Sequence, residues 1–452
     1  MAPRRDSVRS LAERAGAALD LPAGTRLRAG LSGGLDSTVL VDVLAQLAPA
    51  RGWVLEAMHV HHGLSPNADA WLEAAQRQAA ALGIAFRAER VRVPLADGRG
   101  LEAAARSERL AALSAPGADA VALAHHRDDQ AETVLLQALR GTGLAGLSAM
   151  ATDRTARGVR WVRPFLSVPR ADLLAYARDR SLAWIEDETN ASPGLARGAL
   201  RTEVMPPLLA RFPAARASLA RLAGHAAAAS RLLDDLARLD AGGGFDVEGL
   251  PCERLAALSP ERLANVLRHF VQTRGARPPS AARLSRMAAL LVLSRNDADA
   301  RLVHDGLLLW RHGGRVRAAP DPGEVGPWAV AWRGESCVEL GEGRGRVVFE
   351  PATGRGIRAA LAGEGAWSFG PREGGERLRP APGRPSRTLK NLLREAGLAP
   401  WERQRLPLLR RDGALAWVPG IGVDAALAAG PGEAGLEPRW EGSPTGSGPH
   451  RP

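Results

Sequence analysis

Residues 25–147 alternate short apolar runs with stretches of helical periodicity, and this alternation limits the fold more than any other feature of the sequence. Strands are predicted at 26–31, 53–60, 86–93 and 119–124, each followed by a helical pattern. Parallel strands joined by crossover helices have this appearance, so we expect an α/β domain with a parallel sheet. The first helical pattern predicts one buried apolar face. Its members are Val39, Leu40, Val43, Leu44 and Leu47.

A second pattern of the same kind covers residues 129–140. Its apolar positions are predicted to face inward, and Gly141 is the expected stop of that helix. These positions are Ala131, Val134, Leu135, Ala138 and Leu139.

The whole chain has 452 residues, too many for one ordinary domain. After about residue 200 the sequence becomes rich in Ala, Leu and Arg at helical spacing, with few strand signals. A stretch rich in Gly and Pro follows, and then a compact basic unit. We predict a catalytic α/β domain over 1–205, a helical domain over 206–315, a connector with little structure of its own over 316–370, a small α+β domain over 371–440 and a disordered tail over 441–452.

Composition narrows the class of protein. No run of 18 apolar residues or leader-like segment occurs, so we expect a soluble, cytoplasmic protein without a membrane span. Only Cys252 and Cys337 are present, which excludes a disulfide scaffold, a four-thiolate zinc site and a C-x-x-C redox pair. The net charge of +11 suits a polyanionic partner such as RNA. Because Lys390 is the only lysine, the codon bias of a GC-rich genome also explains the many arginines.

The most informative short motif lies between the first predicted strand and its helix. It consists of Ser32, Gly33, Gly34, Leu35, Asp36 and Ser37. Two glycines allow close backbone approach, and amides at a helix start bind phosphate, so the motif predicts a nucleotide site. The segment lacks the Gly-Lys pair of a Walker A loop and the G-x-G-x-x-G of a Rossmann turn. The alternative is a Gly-Gly turn with a Ser or Asp helix cap and no ligand.

Two further polar clusters follow predicted strands. His59, His61 and His62 end the second strand, where hydrogen bonding near a nucleotide and packing are favoured over a metal site because no Cys or Glu-x-x-His partner is near. Asp129 and Glu132 share one face at the start of the helix after the fourth strand. Acidic residues there satisfy a helix dipole, which explains one of them. A pair of carboxylates at this edge could instead hold a cationic amine or a metal.

These motifs resemble a known family. The first, S-G-G-L-D-S, is similar to the signature of the N-type ATP pyrophosphatases of the PP-loop superfamily. Together with H-V-H-H-G-L at 59–64 and H-H-R-D-D-Q-A-E-T at 125–133, it resembles the bacterial tRNA(Ile)-lysidine synthetases. The likeness spans most of residues 25–210, and the basic segment near 372–407 resembles the terminal domain of that family.

The resemblance implies a fold, a reaction and a set of site residues. The fold is a parallel-sheet, adenine-nucleotide alpha-hydrolase-like catalytic domain followed by a helical domain and a small α+β C-terminal domain. The reaction uses ATP and Mg²⁺ to adenylate the carbon-2 oxygen of the first anticodon cytidine in CAU-bearing tRNA(Ile), after which L-lysine displaces AMP and codon reading changes from AUG to AUA. Asp36 is expected to ligate Mg²⁺, Arg106 to stabilise phosphate charge, and Asp129 and Glu132 to bind lysine. The expected tRNA contacts are Arg197, Arg201, Arg377, Arg379, Arg387 and Lys390.

The sequence departs from the family pattern at a few positions and leaves rivals open. His61 replaces a usual Asn, Leu110 stands where an aromatic is common, and Gly198 replaces an Asn, so the roles of His61 and Gly198 are not assigned. The rivals are a tRNA sulfurtransferase, which requires a cysteine pair in the catalytic domain, an amidotransferase-type synthetase for a small molecule, and an RNA-binding module that binds ATP without catalysis. A homodimer is compatible with the sequence, which does not fix the oligomeric state.

Overall fold

The protein is described from a computed structural model. The described residues are 4–94, 101–156, 158–186, 196–242, 245, 249–294, 300–321, 323, 326–341, 343–398 and 400–442. Most of the predicted tail, 441–452, lies outside them. The chain divides into two compact units, Met1–Leu233 and Asp234–Pro452.

The first unit contains the predicted α/β domain. Its helices and strands are α1 (Arg4–Ala17), β1 (Arg26–Gly30), α2 (Leu35–Arg51), β2 (Val54–His61), α3 (Ala68–Ala81), β3 (Ala85–Arg90), α4 (Leu101–Leu113), β4 (Ala120–Ala122), α5 (Arg127–Leu139), α6 (Leu144–Leu147), β5 (Asp153–Ala156), β6 (Val159–Val162), α7 (Arg170–Asp179), α8 (Ala196–Ala199), a π-helical turn (Leu200–Val204), α9 (Met205–Arg211) and α10 (Ala215–Ala241), which ends in the second unit.

Six strands form one sheet in the order β3-β2-β1-β4-β6-β5. All neighbours are parallel except β5, which runs antiparallel to β6 at one edge. The four strands predicted in the first part of the chain are confirmed, with ends shifted by up to three residues. The chain order reverses between β1 and β4, and ligands bind α/β sheets at the carboxyl ends of strands at such a reversal.

Helices cover the sheet and bury its core. The prediction of a single buried face on α2 was too narrow, since Val41 is also buried and α2 packs against both the sheet and α7. Ala131 and Val134 on α5 are buried as predicted, but Ala138 and Leu139 are exposed. The last turn of α5 therefore projects beyond the core, and Gly141, with φ +66°, follows its end.

The second unit combines helices with several small sheets. Its elements are β7 (Leu250–Pro251), α11 (Cys252–Ala256), α12 (Pro260–Gln272), α13 (Ala281–Met287), a π-helical segment (Ala288–Leu293), β8 (Arg301–His304), β9 (Leu307–His312), β10 (Arg315–Pro320), β11 (Val330–Trp332), β12 (Cys337–Glu339), β13 (Arg346–Thr353), β14 (Ile357–Arg358), a 3₁₀ turn (Ala359–Leu361), β15 (Trp367–Gly370), β16 (Arg377–Leu378), β17 (Arg387–Thr388), α14 (Leu389–Glu395), α15 (Pro400–Arg405), β18 (Leu408–Arg411), β19 (Ala414–Val418), β20 (Gly422–Val423) and β21 (Ala434–Glu441).

One expectation for this unit was wrong, and another was incomplete. The range 316–370 is not a connector with little structure, because β11 to β15 lie in it and pair with later strands. The predicted helical domain also contains β8, β9 and most of a four-stranded sheet. The reason is physical: these strands are short and broken by Gly and Pro, and strands β13 and β15 gain their partners β21 and β18 from residues far along the chain. Trp332, Phe349 and Trp367 form the core that results.

Candidate active site at the carboxyl edge of the sheet

The predicted phosphate loop joins β1 to the start of α2. Ser32 and Ser37 close the turn, since their hydroxyl oxygens lie 3.0 Å apart and the Ser32 amide donates to Ser37 Oγ at 3.2 Å. Gly34 is the N-cap of α2. No side chain of the described residues forms a capping hydrogen bond at this helix start. Leu35 is buried as the first helical residue. The uncapped amides and the positive end of α2 could therefore bind an anion, which favours the nucleotide interpretation over the side-chain cap considered as the alternative.

Gly33 requires a backbone conformation that favours glycine. Its φ is +87°, in the left-handed region, and a Cβ there would lie 3.0 Å from Ile185 Cδ1. The Ile185 amide donates to the Gly33 carbonyl at 2.9 Å. The segment that follows α7 thus fixes the loop from outside. No local pattern in the sequence indicates this contact.

His126 connects the phosphate loop to the carboxylates of α5. Its Nδ1 accepts a hydrogen bond from the Asp129 amide at 3.3 Å, so the proton of the neutral ring lies on Nε2. That nitrogen lies 3.5 Å from Asp36 Oδ2 and 3.4 Å from Asp129 Oδ2. Burial lowers the pKa of His126, but the hydrogen bond to Asp36 and the nearby carboxylate charges outweigh it, and the pKa is raised. Sequence reasoning did not assign His126 a role.

Asp129 also has the structural role that the sequence suggested for one carboxylate. Its Oδ2 accepts from the His126 amide at 3.1 Å and completes a reciprocal cap of α5. Its Oδ1 lies 3.4 Å from Arg201 Nη2. One oxygen of Asp129 is therefore used by the helix start, and the other faces the residues near 201.

Glu132 is buried and lies in an ion-pair cluster with two arginines. Arg201 binds it in a bidentate manner, with both nitrogen to oxygen distances at 2.8 Å. Arg197 Nε lies 3.2 Å from Glu132 Oε2, and Arg197 Nη2 lies 3.2 Å from Thr133 Oγ1. Arg197 and Arg201, the two predicted tRNA contacts of this unit, therefore form ion pairs with the carboxylates that are predicted to bind lysine. Any contact of these arginines with RNA competes with the ion pairs.

One carboxylate oxygen of Asp36 forms no hydrogen bond with the described residues. This oxygen, Oδ1, is buried, and Arg170 Nε lies 3.6 Å from it. No group of three His, Cys, Asp or Glu side chains in the described ranges could hold a metal by itself. Mg²⁺ is commonly held by one or two carboxylates together with phosphate oxygens and water. Asp36 therefore fits a magnesium ion that arrives with a triphosphate.

His59 and His61 lie at the end of β2 and have structural partners, and His62 directly follows that strand. His59 Nδ1 lies 2.9 Å from the Leu31 carbonyl oxygen and supports the start of the loop. His61 Nε2 lies 3.3 Å from Asp69 Oδ1. Burial, followed by the charge of Arg109, lowers the pKa of His62 to about 4. These contacts favour the packing interpretation over a metal site.

Arg106 lies on α4 and belongs to a group of positive side chains at the same sheet edge. Burial, followed by the charges of Arg163, Arg106 and Arg109, holds the pKa of His125 well below its usual value. His125 directly precedes His126, which contacts Asp36. Arg106, Arg109 and Arg163 therefore lie next to the cluster that Asp36 forms with His126 and Asp129. Arg163 follows β6 and was not predicted as a site residue.

The predicted tRNA contacts of the second unit lie near β16, β17 and α14. Arg377, Arg379 and Lys390 are exposed. Arg377 donates to the Ser386 carbonyl at 2.6 Å, and Arg387 forms a bidentate ion pair with Glu395 at 2.8 and 2.5 Å. Within the described part of this unit, Arg379 and Lys390 form no ion pair. The segment therefore presents positive charge to solvent.

Comparison with known families agrees with this architecture. A PP-loop domain matches residues 9–208, a TilS substrate binding domain matches 250–317, and a TilS substrate C-terminal domain matches 368–440. The fold, the loop geometry and the first match define a PP-loop protein that uses ATP.

Similarity to individual proteins identifies the family. The tRNA(Ile)-lysidine synthase of Azoarcus sp. strain BH72 is 44% identical over 420 residues, which is 92% of each chain. That of Aromatoleum aromaticum is 45% identical over 419 residues, 92% of this chain and 97% of its own. That of Burkholderia pseudomallei is 43% identical over 447 residues, 90% of this chain and 91% of its own. The chain belongs to the tRNA(Ile)-lysidine synthase family, whose members are ATP-using, tRNA-modifying ligases.

Proposed function

We propose that this protein ligates lysine to carbon 2 of the first anticodon cytidine of CAU-bearing tRNA(Ile), consuming ATP and releasing AMP and pyrophosphate. One geometric observation carries the proposal: His126 Nε2 lies within 3.5 Å of both Asp36, in the phosphate loop, and Asp129, on the carboxylate face of α5. The predicted ATP and lysine sites are therefore adjacent. Membership of the lysidine synthase family supports the choice of substrates.

The first step forms an adenylated cytidine. The carbon-2 oxygen of the cytidine attacks the α-phosphorus of ATP, the bond from that phosphorus to the bridging oxygen breaks, and pyrophosphate leaves. Amides at the start of α2 and the positive charge of Arg106 stabilise negative charge on the phosphates. Ser32 and Ser37 add hydroxyl groups at the same turn.

Asp36 is the residue that would hold a magnesium ion, through the buried oxygen that has no hydrogen-bond partner among the described residues. The bound ion supplies charge neutralisation for pyrophosphate as it leaves. His126 keeps the Asp36 carboxylate in place through Nε2. Arg170, at 3.6 Å, limits the movement of the same side chain.

The second step transfers lysine. Its ε-amine attacks carbon 2 of the adenylated cytidine, the bond from carbon 2 to the adenylated oxygen breaks, AMP leaves with that oxygen, and the nitrogen loses its protons to solvent. Asp129 and Glu132 bind the ammonium groups of lysine and orient the attacking nitrogen. Because Arg197 and Arg201 already neutralise these carboxylates, lysine binding requires these ion pairs to rearrange or to be shared.

The remaining assignments concern partners and location. Exposed basic residues of the second unit, such as Arg379 and Lys390, would contact tRNA phosphates. We infer a cytoplasmic location from the tRNA substrate. Within the described ranges, the helices lack the length and apolar run that a membrane span requires. A homodimer stays a prediction.

One incubation separates the proposal from its rivals. The protein is mixed with CAU tRNA, ATP and labelled lysine, and label in acid-precipitated RNA is measured, with a tRNA bearing another anticodon as control. We expect label only in the CAU tRNA. A sulfurtransferase, a small-molecule synthetase and a non-catalytic module each predict unlabelled RNA, so unlabelled RNA would reject the proposal. The sulfurtransferase is further disfavoured because Cys252 and Cys337 both lie in the second unit.

A further inference from the structure

A line of positive side chains leads away from the phosphate loop along the other half of the sheet edge. We call this line the basic track. It consists of Arg106, Arg109, Arg163 and Arg154, and it passes beside the His125 ring, whose pKa is held well below its usual value. His125 comes shortly after β4, and Arg163 directly follows β6, so both lie at the carboxyl ends of neighbouring parallel strands. Arg106 and Arg109 are on α4. Arg154 is on the edge strand β5, opposite Trp161 of β6.

Arg163 is the best-defined member of the basic track. Its amide donates to the Thr152 carbonyl at 2.7 Å, and its Nη1 donates to the Ala151 carbonyl at 2.8 Å. Its Nε is buried without a hydrogen-bond partner, and no carboxylate in the described part of the chain forms an ion pair with it. A half-buried guanidinium with an unused donor and no counter-ion is a site for an anion.

The neighbouring positive charges favour the binding of an anion beside Arg163. Burial, followed by the charges of Arg106 and Arg154, lowers the pKa of Arg163 to about 10. His125 Nδ1 is likewise buried without a partner among the described residues. Arg160, on the adjacent strand β6, is different, because Asp153 neutralises it at 2.8 Å. Among the described residues neither Arg163 nor Arg154 has an acidic partner, and this distinguishes them from Arg160 of the same sheet.

We propose that the basic track binds successive backbone phosphates of the RNA strand next to the cytidine that is modified, with Arg163 and Arg154 as the contacting residues. This assignment rests on the proposed function, which brings an anticodon loop to this sheet edge. It adds an RNA contact within the first unit, separate from the basic residues of the second unit.

A phosphodiester fits the basic track better than the other anions of the reaction. The carboxylate of lysine is a single charge and needs one guanidinium, whereas the track extends from the half-buried Arg163 to the exposed Arg154. The phosphates of ATP are bound at the start of α2, and the track continues past that point to the edge strand. A chain of phosphates that passes from solvent to the active site matches this arrangement.

The test measures tRNA affinity as a function of salt. Filter binding of CAU tRNA is recorded from low to high KCl, without ATP and without lysine, for the full-length protein and its variants. Each lost contact to a single-stranded phosphate reduces the slope of log affinity against log salt by about 0.7. We expect this reduction for Arg163→Gln and for Arg154→Gln, and no reduction for Arg163→Lys.

Arg160→Gln is the matched control, because this arginine is on the same strand pair but is neutralised by Asp153. Its slope should equal that of the wild type. Thermal unfolding of each variant checks folding, and Arg154→Gln tests the track through an exposed side chain. Unchanged slopes for Arg163→Gln and Arg154→Gln in folded protein would overturn the proposal.

Steady-state kinetics distinguish the alternative anions. The proposal predicts unchanged KM for ATP and for lysine in Arg163→Gln and Arg154→Gln, with a raised KM for tRNA. A raised KM for lysine with an unchanged salt slope would assign the track to the lysine carboxylate, and a raised KM for ATP would assign it to the triphosphate; either result overturns the proposal. Because the binding assay requires no chemistry, failure of lysine transfer in the wild type would reject the proposed function without deciding this test.

Discussion

The charged groups of the two units are used in opposite ways. Around Asp36 in the first unit, acidic and basic side chains are largely buried and bonded to one another, as in the contacts of Glu132 with Arg197 and Arg201. In the second unit, Arg379 and Lys390 lie exposed without acidic partners in its described residues. Buried, mutually paired groups hold atoms in fixed positions, whereas exposed cations attract a polyanion over a broad surface. The difference implies that chemistry and tRNA retention can be lost separately.

The largest difference between loss of chemistry and loss of tRNA retention is expected for Asp36→Ala. Removing the carboxylate that would hold magnesium should lower pyrophosphate release at least about 100-fold, because charge on the departing phosphates is no longer neutralised. Retention of tRNA on a filter should stay nearly intact. Asp172→Asn, which removes an exposed partner of Arg14, is the control and should keep full activity. Loss of both release and retention in Asp36→Ala would contradict a purely catalytic role.

Glu132→Gln should separate the two chemical steps. The change leaves Arg201 without its bidentate partner, and we expect a destabilisation of about 2 kcal/mol, seen as a lower Tm. Lysine transfer should fall strongly, while ATP-dependent adenylation of tRNA without lysine continues. Glu203 is an exposed residue of the π-helical turn that contains Arg201. Glu203→Gln should change neither the Tm nor lysine transfer. Equal loss of adenylation and transfer would argue against Glu132 as a lysine ligand.

Changes in the second unit are expected to weaken tRNA binding while the chemical steps continue. Joint replacement of Arg377, Arg379 and Lys390 by Gln should weaken tRNA binding about tenfold and reduce its salt dependence. At saturating tRNA the rate of lysine transfer should stay near that of the wild type. Arg387→Gln serves as comparison, since Glu395 already neutralises this arginine and its removal should matter less. A fall in the rate at saturating tRNA would show that these residues act in chemistry as well.

The smallest effect concerns pH. Burial and the charge of Arg109 lower the pKa of His62 to about 4, so the unfolded chain binds a proton here at a higher pH than the folded protein does. Stability should therefore fall as the pH is lowered from about 6.5 to about 4. His62→Asn should flatten that decline of Tm, whereas His225→Asn, at an exposed site, should not. An equally steep decline in His62→Asn would contradict the assignment.

The parts that the sequence predicted well are those specified by local patterns. The strands from β1 to β4 and the turn between Ser32 and Ser37 follow from apolar spacing and from glycine at a helix start. The contact of Ile185 with Gly33 and the ion pairs of Glu132 with Arg201 join residues far apart in the chain, and no spacing reveals them. The strands after residue 316 were missed for the same reason, since β13 obtains its partner β21 from the end of the chain. Leu139 shows the converse, because helical spacing cannot tell where a helix leaves the core.

The position at which ATP is cleaved tests the central claim most directly. The protein is incubated with magnesium, CAU tRNA and ATP labelled separately at its α and γ phosphates, and the products are separated. The loop geometry of Ser32 to Ser37 and the Asp36 oxygen that has no hydrogen bond among the described residues predict that the α label appears in adenylated RNA. After lysine is added, the α label should appear in AMP, while the γ label appears in pyrophosphate. Labelled ADP with free phosphate, or no magnesium-dependent cleavage, would contradict the account.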